Sequence, residues 1–433
     1  MLVSHLKYFV APVTAVALLT SCAGGSSTPA AAGESLAPSL RSQPILGRNQ
    51  RARPFSTETV IHSFAGPPTD GSSPYGDLID VDGMLYGTSA FGGTHSRHGA
   101  GTVFSVTTSG VETVLYNFAP SARGYQPQSG LTVMGPALYG TTYNGGANYG
   151  TIFRINLADS NAFHHLYSFT GSPTDGAMPE YGSLTKVGST LYGTTTEGGQ
   201  TGDGTVFMIT KTGTETVLHS FLGGSDGAYP NSDLTYVHGT LYGTTRNGGT
   251  GTCSAGCGTV FSITPSGTET VLYSFVGQAH GRDDGANPGA GLIPIGGNLY
   301  GTTMAGGGLN DGTVFKIGMV NAIERELHSF GGGIGGTDGK LPEATLTDVN
   351  GTLYGTTLEG GNSGCVGGSC GTIFSIGKTE GKYSQLYSFS GGTDGGNPQG
   401  ALLDVGGTFY GLTTSGGTGA CSEGCGTVYS FTP

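Results

Sequence analysis

The chain has 433 residues, of which 84 are Gly and only 11% are charged, and it contains 21 Tyr and 19 Phe but no Trp. The aromatic content argues against a disordered chain, and the missing three-residue Gly period excludes a collagen-like one. A net charge of -12 without a Lys or Arg stripe argues against nucleic-acid binding, because an acidic surface repels phosphate groups.

The first segment of the chain has the features of a bacterial export signal. Lys7 precedes an apolar run from Tyr8 to Thr20, which has the length of a signal-peptide core but is too short to span a membrane. The motif Leu-Thr-Ser-Cys, ending at Cys22, follows and resembles the lipobox, in which the Cys is acylated and becomes the mature N-terminus. We therefore predict a lipoprotein signal peptide over residues 1–21 and lipidation of Cys22. An ordinary signal peptide with an incidental Cys is the alternative.

Residues 22–55 are dominated by Ala, Ser, Gly and Pro. Such a segment cannot bury a core, and we interpret it as a flexible tether. Ala23, rather than Asp, follows the predicted lipidation site, and by resemblance to bacteria with two membranes this favours the outer membrane. We therefore expect the protein to be anchored to a membrane of the cell envelope through its N-terminal lipid, in the outer membrane or at the cell surface.

The rest of the chain repeats four short phrases seven times in one cyclic order. A Tyr-Gly phrase has its Gly at Gly87, Gly140, Gly193, Gly243, Gly301, Gly355 and Gly411. A phrase close to Gly-Thr-Val-Phe begins at Gly101, Gly150, Gly204, Gly258, Gly312, Gly371 and Gly426. A phrase close to Leu-Tyr-Ser-Phe ends at Phe64, Phe118, Phe169, Phe221, Phe275, Phe330 and Phe389. A phrase close to Asp-Gly-x-x-Pro ends at Pro74, Pro127, Pro179, Pro230, Pro288, Pro342 and Pro398.

Each repeat predicts four strands, named A to D in chain order. In the third copy they fall within residues 182–189, 190–195, 204–211 and 214–221. Period-2 patterns separated by tight Gly turns indicate hairpins, and four-stranded units of this length resemble propeller blades. We therefore predict an all-β, seven-bladed β-propeller over residues 56–433, with four antiparallel strands in each blade.

The phase of the repeat predicts that the propeller closes. The repeated region opens on a D strand, residues 57–64, and ends on a C strand, residues 426–431. The last repeat lacks a D strand, and the first D strand has no A, B or C strand before it. We expect the N-terminal strand to complete the seventh blade beside the C-terminal one, which removes an exposed sheet edge. An open solenoid would need caps, which neither end resembles.

The repeated letters themselves are interpreted as core. In a propeller each blade packs against a neighbour on both faces, so Leu241 and Tyr242 can both be buried although they point to opposite faces. Gly243 has no side chain, which allows a neighbouring ring or backbone to approach closely.

The loops of the predicted disc differ between its two faces. The A–B and C–D turns are tight and share one face, whereas the longer B–C and D–A connections share the other. The B–C connections run from residues 143–149 in one blade to 358–370 in another. Because binding residues concentrate on variable loops over a rigid scaffold, we expect any ligand, a glycan or another envelope protein, on the B–C/D–A face.

Six D–A connections carry an Asp directly before Gly, and Arg123 takes this place in the remaining copy. These residues form either a ring of carboxylates that attracts cations or a set of caps on their own Asp-Gly turns, which we prefer. The candidate structural turn carboxylates are Asp70, Asp175, Asp226, Asp284, Asp338 and Asp394. No segment has the ligand density of an EF-hand loop, and we predict no metal site.

Six Cys remain after Cys22, in three close pairs that each precede a strand C. In an oxidising envelope these pairs predict three small disulfides that stiffen long loops. The pairs are Cys253/Cys257, Cys365/Cys370 and Cys421/Cys425. Zinc binding is the alternative, but each loop offers two thiols and no nearby His.

His62, His219 and His328 replace Tyr in the Leu-Tyr-Ser-Phe phrase. They would lie on the outermost strands of different blades, too far apart to share a site. The chain has no G-x-S-x-G elbow, phosphate-binding Gly loop or paired zinc-ligand His motif. We therefore predict no catalytic residue and no cofactor. The resemblance to quinone-binding propellers, which dock their cofactor through Trp, fails because the chain has no Trp.

Taken together, the phrases GxLYGTT, GG, GTVF, LYSF and DGxxP over residues 57–433 resemble the GloVer tandem-repeat family of bacterial surface proteins. The resemblance implies a secreted or surface-anchored protein and carries over no catalytic residue. We favour a binding or adhesion module, expected to be a monomer. A polysaccharide hydrolase or lyase is one alternative and would need converging carboxylates at the disc centre. A purely structural envelope component is the other.

Overall fold

The first and last strands of the repeated region share one sheet in the computed structural model. Strand Thr57–Ser63 pairs antiparallel with Thr427–Thr432, and Val60 lies opposite Tyr429. The predicted closure is therefore confirmed, with strand bounds that differ by one residue from those expected. The structure describes residues 56–95, 99–278, 284–331, 338–361, 370–379 and 381–433. The predicted signal peptide, Cys22 and the tether lie outside these residues.

Seven antiparallel sheets form the blades of the propeller, each with the strand order A-B-C-D. The A strands of successive blades contact one another in most pairs, which places them around a central axis. The D strands therefore form the outer rim. Blades 1 to 6 follow one another along the chain, and blade 7 takes its D strand from the N-terminal side of the body. The predicted seven-bladed, all-β fold is thus confirmed.

The strand bounds are nearly the same in every blade from blade 1 to blade 7. Strand A is shorter than predicted and covers Ile79–Val81, Thr132–Met134, Thr185–Val187, Thr235–Val237, Ile293–Ile295, Thr347–Val349 and Leu403–Val405. Strand B covers Met84–Ser89, Ala137–Thr142, Thr190–Thr195, Thr240–Thr245, Asn298–Thr303, Thr352–Thr357 and Thr408–Ser415. Strand C covers Thr102–Thr107, Thr151–Asn156, Thr205–Thr210, Thr259–Ile263, Thr313–Gly318, Thr372–Gly377 and Thr427–Thr432. Strand D covers Glu112–Asn117, Ala162–Ser168, Glu215–Ser220, Glu269–Ser274, Glu324–Ser329, Tyr383–Ser388 and Thr57–Ser63.

Short ladders that the sequence did not predict join the D–A connections to the B–C connections. Four are two-residue pairs: Gly71–Ser72 with Phe91–Gly92, Gly176–Ala177 with Glu197–Gly198, Gly285–Ala286 with Ala305–Gly306, and Gly339–Lys340 with Glu359–Gly360. A further segment, Gly396–Pro398, pairs with strand B of blade 7. A 3-10 turn, Gly224–Asp226, is the one helical element in the described part of the chain. None of the described residues forms a helix that is long and apolar enough to cross a bilayer. The longer loops are therefore fixed to the scaffold at their starts.

An edge-to-face pair of aromatic rings fills each junction between blades. The Phe that ends each Leu-Tyr-Ser-Phe phrase is at most 1% exposed and meets the aromatic residue on strand C of the next blade, with ring centroids 5.1–5.2 Å apart. Phe64 and Phe104 make this contact across the closing junction between blades 7 and 1. All seven junctions are therefore packed in the same way, and edge-to-face pairs add stability beyond their buried area.

The invariant Gly of the Tyr-Gly phrase has a steric cause. A Cβ at Gly243 would lie 2.7 Å from Cζ of Phe261 and 2.9 Å from Cδ2 of Leu234. The ring of strand C folds over the Gly of strand B within the same blade. The predicted close approach of a ring is therefore present, and any larger residue would displace the aromatic pair.

The two hydroxyl groups of the Gly-Thr-Thr phrase form hydrogen bonds within and between blades. The oxygen of the second hydroxyl, which belongs to Ser in blade 1, lies 2.7–2.8 Å from Oγ1 of the first Thr of strand C in all seven blades. The first donates to a backbone carbonyl of the next blade in five, as Thr88 does to Ser129. These buried hydroxyls therefore have partners, which explains why Thr rather than Val is repeated there.

Candidate functional site

A polar cavity of about 440 Å³ opens at the axis of the disc. Its wall is formed mainly by the residues of the D–A connections that directly precede strand A, in every blade except blade 2. Residues at or just after the end of strand B complete it. The cavity therefore lies on the B–C/D–A face, where we expected a ligand. The D–A connections supply more of its wall than the B–C connections do, which the sequence did not indicate.

One column of the repeat places different side chains in a ring around the axis. This column, directly before the Leu that precedes strand A, holds Asp77, Gly130, Ser183, Asp233, Gly291, Thr345 and Ala401. Its polar side chains accept hydrogen bonds from the previous blade: the amide of Ala401 donates to Oδ1 of Asp77 at 2.6 Å, and the amide of Ser183 donates to Asp233. The scaffold thus holds both carboxyl groups at the cavity wall. The variation of this one position among otherwise similar repeats is the sequence signal that could have identified Asp77 and Asp233.

Asp77 and Asp233 influence each other from blades 1 and 4. Burial is the main cause that raises the pKa of both carboxyls, and the charge of Asp77 contributes to a pKa of about 7 for Asp233. Two buried carboxyl groups whose charges interact resist simultaneous ionisation. The pair therefore keeps a proton to higher pH than two isolated carboxyl groups would, and can offer a hydroxyl donor beside a carboxylate acceptor.

A second set of charged groups surrounds Glu343 at the cavity wall. Burial raises the pKa of Glu343 and of the neighbouring Glu180, and the charge of Arg246 opposes the shift in both. The side-chain amide of Gln399 donates to Oε2 of Glu343 at 2.9 Å. Arg246 is the one basic residue among those that line the cavity. The site consequently favours neutral or cationic ligands over acidic ones.

Two aromatic rings and one free acceptor complete the wall. The rings of Tyr75 and Tyr181 are tilted by 49° with centroids 6.2 Å apart. Burial raises the pKa of both phenols, so both stay neutral donors at physiological pH. Oδ1 of Asn231 is buried and has no hydrogen-bond partner. This site can therefore contact apolar ring faces and bond hydroxyl groups at the same time.

Each D–A connection is clamped to the preceding blade just before it reaches the cavity. The residue before the Pro of every Asp-Gly-x-x-Pro phrase has a φ of 49–59°. Its amide donates a hydrogen bond to the backbone carbonyl of the residue that precedes the Gly-Thr-Val-Phe phrase of the preceding blade. Asn397, which lines the cavity, donates to the carbonyl of Cys370 at 2.8 Å in this way. Left-handed backbone at a non-Gly residue is costly and persists only where its surroundings fix it. The clamp thus orients the cavity wall.

The disulfides support these clamps. Cys253–Cys257 and Cys421–Cys425 are bonded, and Cys370 is disulfide-bonded, while Cys365 lies outside the described residues. The second Cys of each predicted pair supplies the carbonyl that accepts the clamp hydrogen bond in its blade. The bridges therefore stiffen the connection to the next blade as well as their own loops.

The six predicted turn carboxylates all lie near the outer rim, in contact with the D strand. Each accepts a hydrogen bond from the backbone after the Leu-Tyr-Ser-Phe phrase and from the Tyr or His within it. Asp70, Asp175, Asp284 and Asp338 also accept from the Gly that follows them, as a turn cap would. The link between Asp and the Tyr or His was not foreseen.

The three rim histidines are on different blades, as predicted, and none contributes to the axial cavity. In each of them, Nε2 of the imidazole lies 3.1–3.3 Å from Oδ2 of the Asp in the following D–A connection. The pairs are His62 with Asp70, His219 with Asp226 and His328 with Asp338.

A second cavity, of about 370 Å³, lies between blades 2 and 3 on the tight-turn face. Arg154, Lys186 and Lys211 line it together with uncharged residues, so its charge is opposite to that of the axial cavity. The two cavities therefore differ in charge and lie on opposite faces of the disc.

The closed ring of seven blades around a polar cavity on its axis defines a seven-bladed β-propeller. The family model described as the Gloeobacter/Verrucomicrobia repeat matches residues 51–255 and 250–433. The chain belongs to this repeat family, in agreement with the resemblance drawn from its motifs.

Three solved structures that resemble this chain are 10–12% identical to it. An oligogalacturonate lyase in complex with manganese is 12% identical, with a TM-score of 0.50 over 87% of this chain and 96% of the other. An oligogalacturonate lyase from Vibrio parahaemolyticus is 10% identical, with a TM-score of 0.49 over 87% and 97%. A nidogen/laminin complex is 12% identical, with a TM-score of 0.40 over 67% and 90%. At this identity the similarity concerns the fold alone. No curated protein matches the chain.

Proposed function

We propose that the propeller is a glycan-binding module that takes a neutral or amine-bearing sugar chain into its axial cavity. The observation that carries this proposal is the combination of Tyr75 and Tyr181 with a cluster of carboxyl and amide groups at the same wall. Sugar rings present apolar faces to aromatic side chains and hydroxyl groups to polar ones. The cavity volume falls within the range of about 300–1,000 Å³ that is usual for small-ligand sites.

The charge of the cavity selects among glycans. Asp77, Asp233 and Glu343 outnumber the single guanidinium of Arg246. A uronate or sulfate group would meet like charge there, whereas a hydroxyl or an ammonium group would find acceptors. The free Oδ1 of Asn231 can accept from such a group without first breaking a bond within the protein.

Binding to a glycan array, followed by calorimetry with the full-length protein, tests this proposal. Tyr181→Ala and Asp233→Asn should each weaken binding at least tenfold. Tyr149→Ala is the matched control, because Tyr149 is an exposed Tyr on a B–C connection and does not line the cavity. Binding that survives both cavity variants, or a preference for acidic glycans, would count against the proposal. Retention of an envelope protein without any glycan would favour a protein ligand instead.

A second candidate function is hydrolysis of extracellular polysaccharide, and the Asp77–Asp233 pair favours it. Two carboxyl groups with different pKa values act as the acid and the base in many enzymes that hydrolyse glycosides. Incubation of the protein with neutral polysaccharides, with reducing ends measured over time, tests this function. A loss of turnover in Asp233→Asn that is larger than its weakened binding accounts for would establish this function, and glycan binding without turnover would reject it.

We also propose that Cys22 anchors the module to the cell envelope. The motif at residues 19–22 and the signal-like segment before it support this location. Metabolic labelling with a fatty acid should mark the wild type and not Cys22→Ser. An unlabelled wild type that is recovered free in the medium would reject the anchor.

A further inference from the structure

The outer rim of the propeller repeats a three-residue cluster at each junction between blades. The members are the Tyr or His in the Leu-Tyr-Ser-Phe phrase, the Asp of the following D–A connection, and the second residue of the D strand phrase in the next blade. At the junction between blades 2 and 3 these are Tyr167, Asp175 and Glu215, and the phenol hydroxyl donates to the Asp at 2.9 Å. We call each such set a rim cluster.

Two rim clusters contain His, Asp and Glu together. They are His62, Asp70 and Glu112 between blades 7 and 1, and His219, Asp226 and Glu269 between blades 3 and 4. In each cluster one possible ligand atom from every residue lies within 4.8 Å of the other two. Imidazole nitrogen and carboxylate oxygen are the side-chain atoms that bind zinc and its neighbours in the first transition row.

The other rim clusters lack this combination. Tyr replaces His in three of them, with Tyr167, Tyr273 and Tyr387. In the cluster of His328 and Asp338, Tyr383 takes the place of Glu and stacks on the imidazole at 4.0 Å. In the remaining one, Phe163 stacks on Tyr116 at 4.1 Å, and Arg123 takes the place of Asp. Within the described residues, the complete set of ligands therefore occurs at two junctions.

The ligands are held in place by groups outside the cluster. The amides of Ala65 and Gly71 donate to the two carboxylate oxygens of Asp70 at 2.8 and 2.6 Å. The His62 ring lies edge-on to Phe64 with centroids 4.9 Å apart. His219 lies in the same way against Phe221 at 4.8 Å. Such supporting contacts orient metal ligands and lower the cost of ordering them.

The Glu of each cluster has an unused ligand atom. Oε1 of Glu112 and Oε1 of Glu269 are buried and have no hydrogen-bond partner, as is also true of Oε1 of Glu58 and of Glu215 in two clusters with Tyr. In a cluster with Tyr, such as that of Tyr387, one hydroxyl contacts both carboxyls, with Asp394 at 3.0 Å and Glu58 at 3.3 Å. An imidazole nitrogen that bonds the Asp leaves the Glu without this bridge. A cation between the three groups would restore it and would offset the repulsion between two partly buried carboxyls.

We propose that these two rim clusters each bind one divalent transition-metal ion of the zinc type. His62, Asp70 and Glu112 supply one nitrogen and two oxygens at the first site, and His219, Asp226 and Glu269 supply the same set at the second. The His side chains are 18% and 20% exposed, so water can complete the coordination. The nitrogen ligand favours zinc over calcium and magnesium, which prefer oxygen alone. Metal binding at the rim departs from the sequence-based expectation of no metal site and does not depend on glycan binding.

The chain provides its own controls for a test by zinc calorimetry and by the absorption spectrum of cobalt, with full-length, chelator-treated and tag-free protein. We expect two ions per chain. His62→Tyr and His219→Tyr should each remove one, and the double variant both. These variants should fold, because Tyr occupies the equivalent position in other blades. His328→Tyr should leave the stoichiometry at two.

The reverse substitution provides an independent check. Tyr167→His, beside Asp175 and Glu215, should create a third site. Absence of binding to the wild type at millimolar zinc, or a stoichiometry that the His62→Tyr/His219→Tyr variant does not change, would overturn the proposal. Loss of ions in His328→Tyr as well would indicate adventitious binding to histidines and would overturn it too.

Discussion

Thr59 and Ser430 are 371 positions apart in the chain, yet they lie opposite each other in the closing sheet of blade 7. The same sheet continues into the next junction, because Phe64 follows the closing strand and packs against Phe104 of blade 1. The ring is therefore closed twice, by a backbone ladder and by an aromatic contact. Both can be tested separately from the rest of the fold.

Phe64→Ala is expected to lower the free energy of unfolding by about 3–5 kcal/mol, because it removes a fully buried ring from the closing junction. Phe221→Ala, at the equivalent junction between blades 3 and 4, is the matched control and should cost a similar amount. Urea unfolding followed by circular dichroism measures both. If Phe64→Ala left the free energy of unfolding unchanged while Phe221→Ala lowered it, the ring would be open at the junction of blades 7 and 1.

Gly243→Ala is expected to destabilise the protein by about 1–3 kcal/mol, since the added methyl group would overlap the ring of Phe261. Gly308→Ala serves as the control: the nearest atom to its added Cβ is Oγ of Ser329 at 3.8 Å. Thermal unfolding of the two variants separates steric overlap from a general effect of replacing Gly. Equal melting temperatures for both would contradict the packing described above.

Replacing both Cys421 and Cys425 with Ser should lower stability by about 2 kcal/mol, the value expected for so short a covalent loop. Because the carbonyl of residue 425 accepts the amide of Ser73 at 2.9 Å, the loosened loop also weakens the connection between blades 7 and 1. Thermal unfolding without reductant measures the loss, and mass spectrometry of the unreduced wild type verifies the bond. An unchanged melting temperature would show that the bridge adds nothing to the clamp.

Stability should fall as the pH rises from 5 to 9. Burial, followed by the charges of Asp284 and Glu326, raises the pKa of Glu324 from 4.5 to about 8. A pKa that is higher in the folded state means that the fold favours the neutral carboxyl. Its contribution is therefore fully present below the unfolded pKa of 4.5 and is lost as the pH rises through 8.

Glu324→Gln removes this titration, so the melting temperature of the variant should decline less steeply over the same range. Glu423→Gln, at an exposed position, is the control and should follow the wild type. Parallel curves for wild type and Glu324→Gln would show that the carboxyl is no harder to ionise in the fold than in the unfolded chain.

The fold could be predicted from the sequence because its determinants are local and repeated. The Gly of each Tyr-Gly phrase, the hydroxyls after it and the Phe that ends strand D recur where the same contact recurs. Periodicity indicated the strands, and phase indicated the closing partner of Thr57–Ser63. The short ladders at Gly71 and Phe91 were missed because Gly pairs there have no apolar alternation to mark them.

The axial cavity could not be derived in the same way. Asp77 and Asp233 come from repeats that are far apart in the chain, and their proximity depends on the radius of the ring, which no sequence pattern encodes. Averaging over the copies hides them, because five other copies carry different residues in the same column. The rim clusters were missed for a related reason: His62 meets Glu112 only when neighbouring D strands are placed side by side.

The closing strand also has a mechanical consequence. Thr57–Ser63 is an edge strand of its sheet and forms its backbone ladder with Thr427–Thr432. Tension applied to the N-terminal end of the molecule first meets the hydrogen bond from the hydroxyl of Ser56 to the carbonyl of Leu386 in blade 6, and then the ladder from Thr57 to Thr432. The seam that completes the seventh blade is therefore where pulling would begin to open the disc, and its rupture force sets the tension that the whole assembly can withstand.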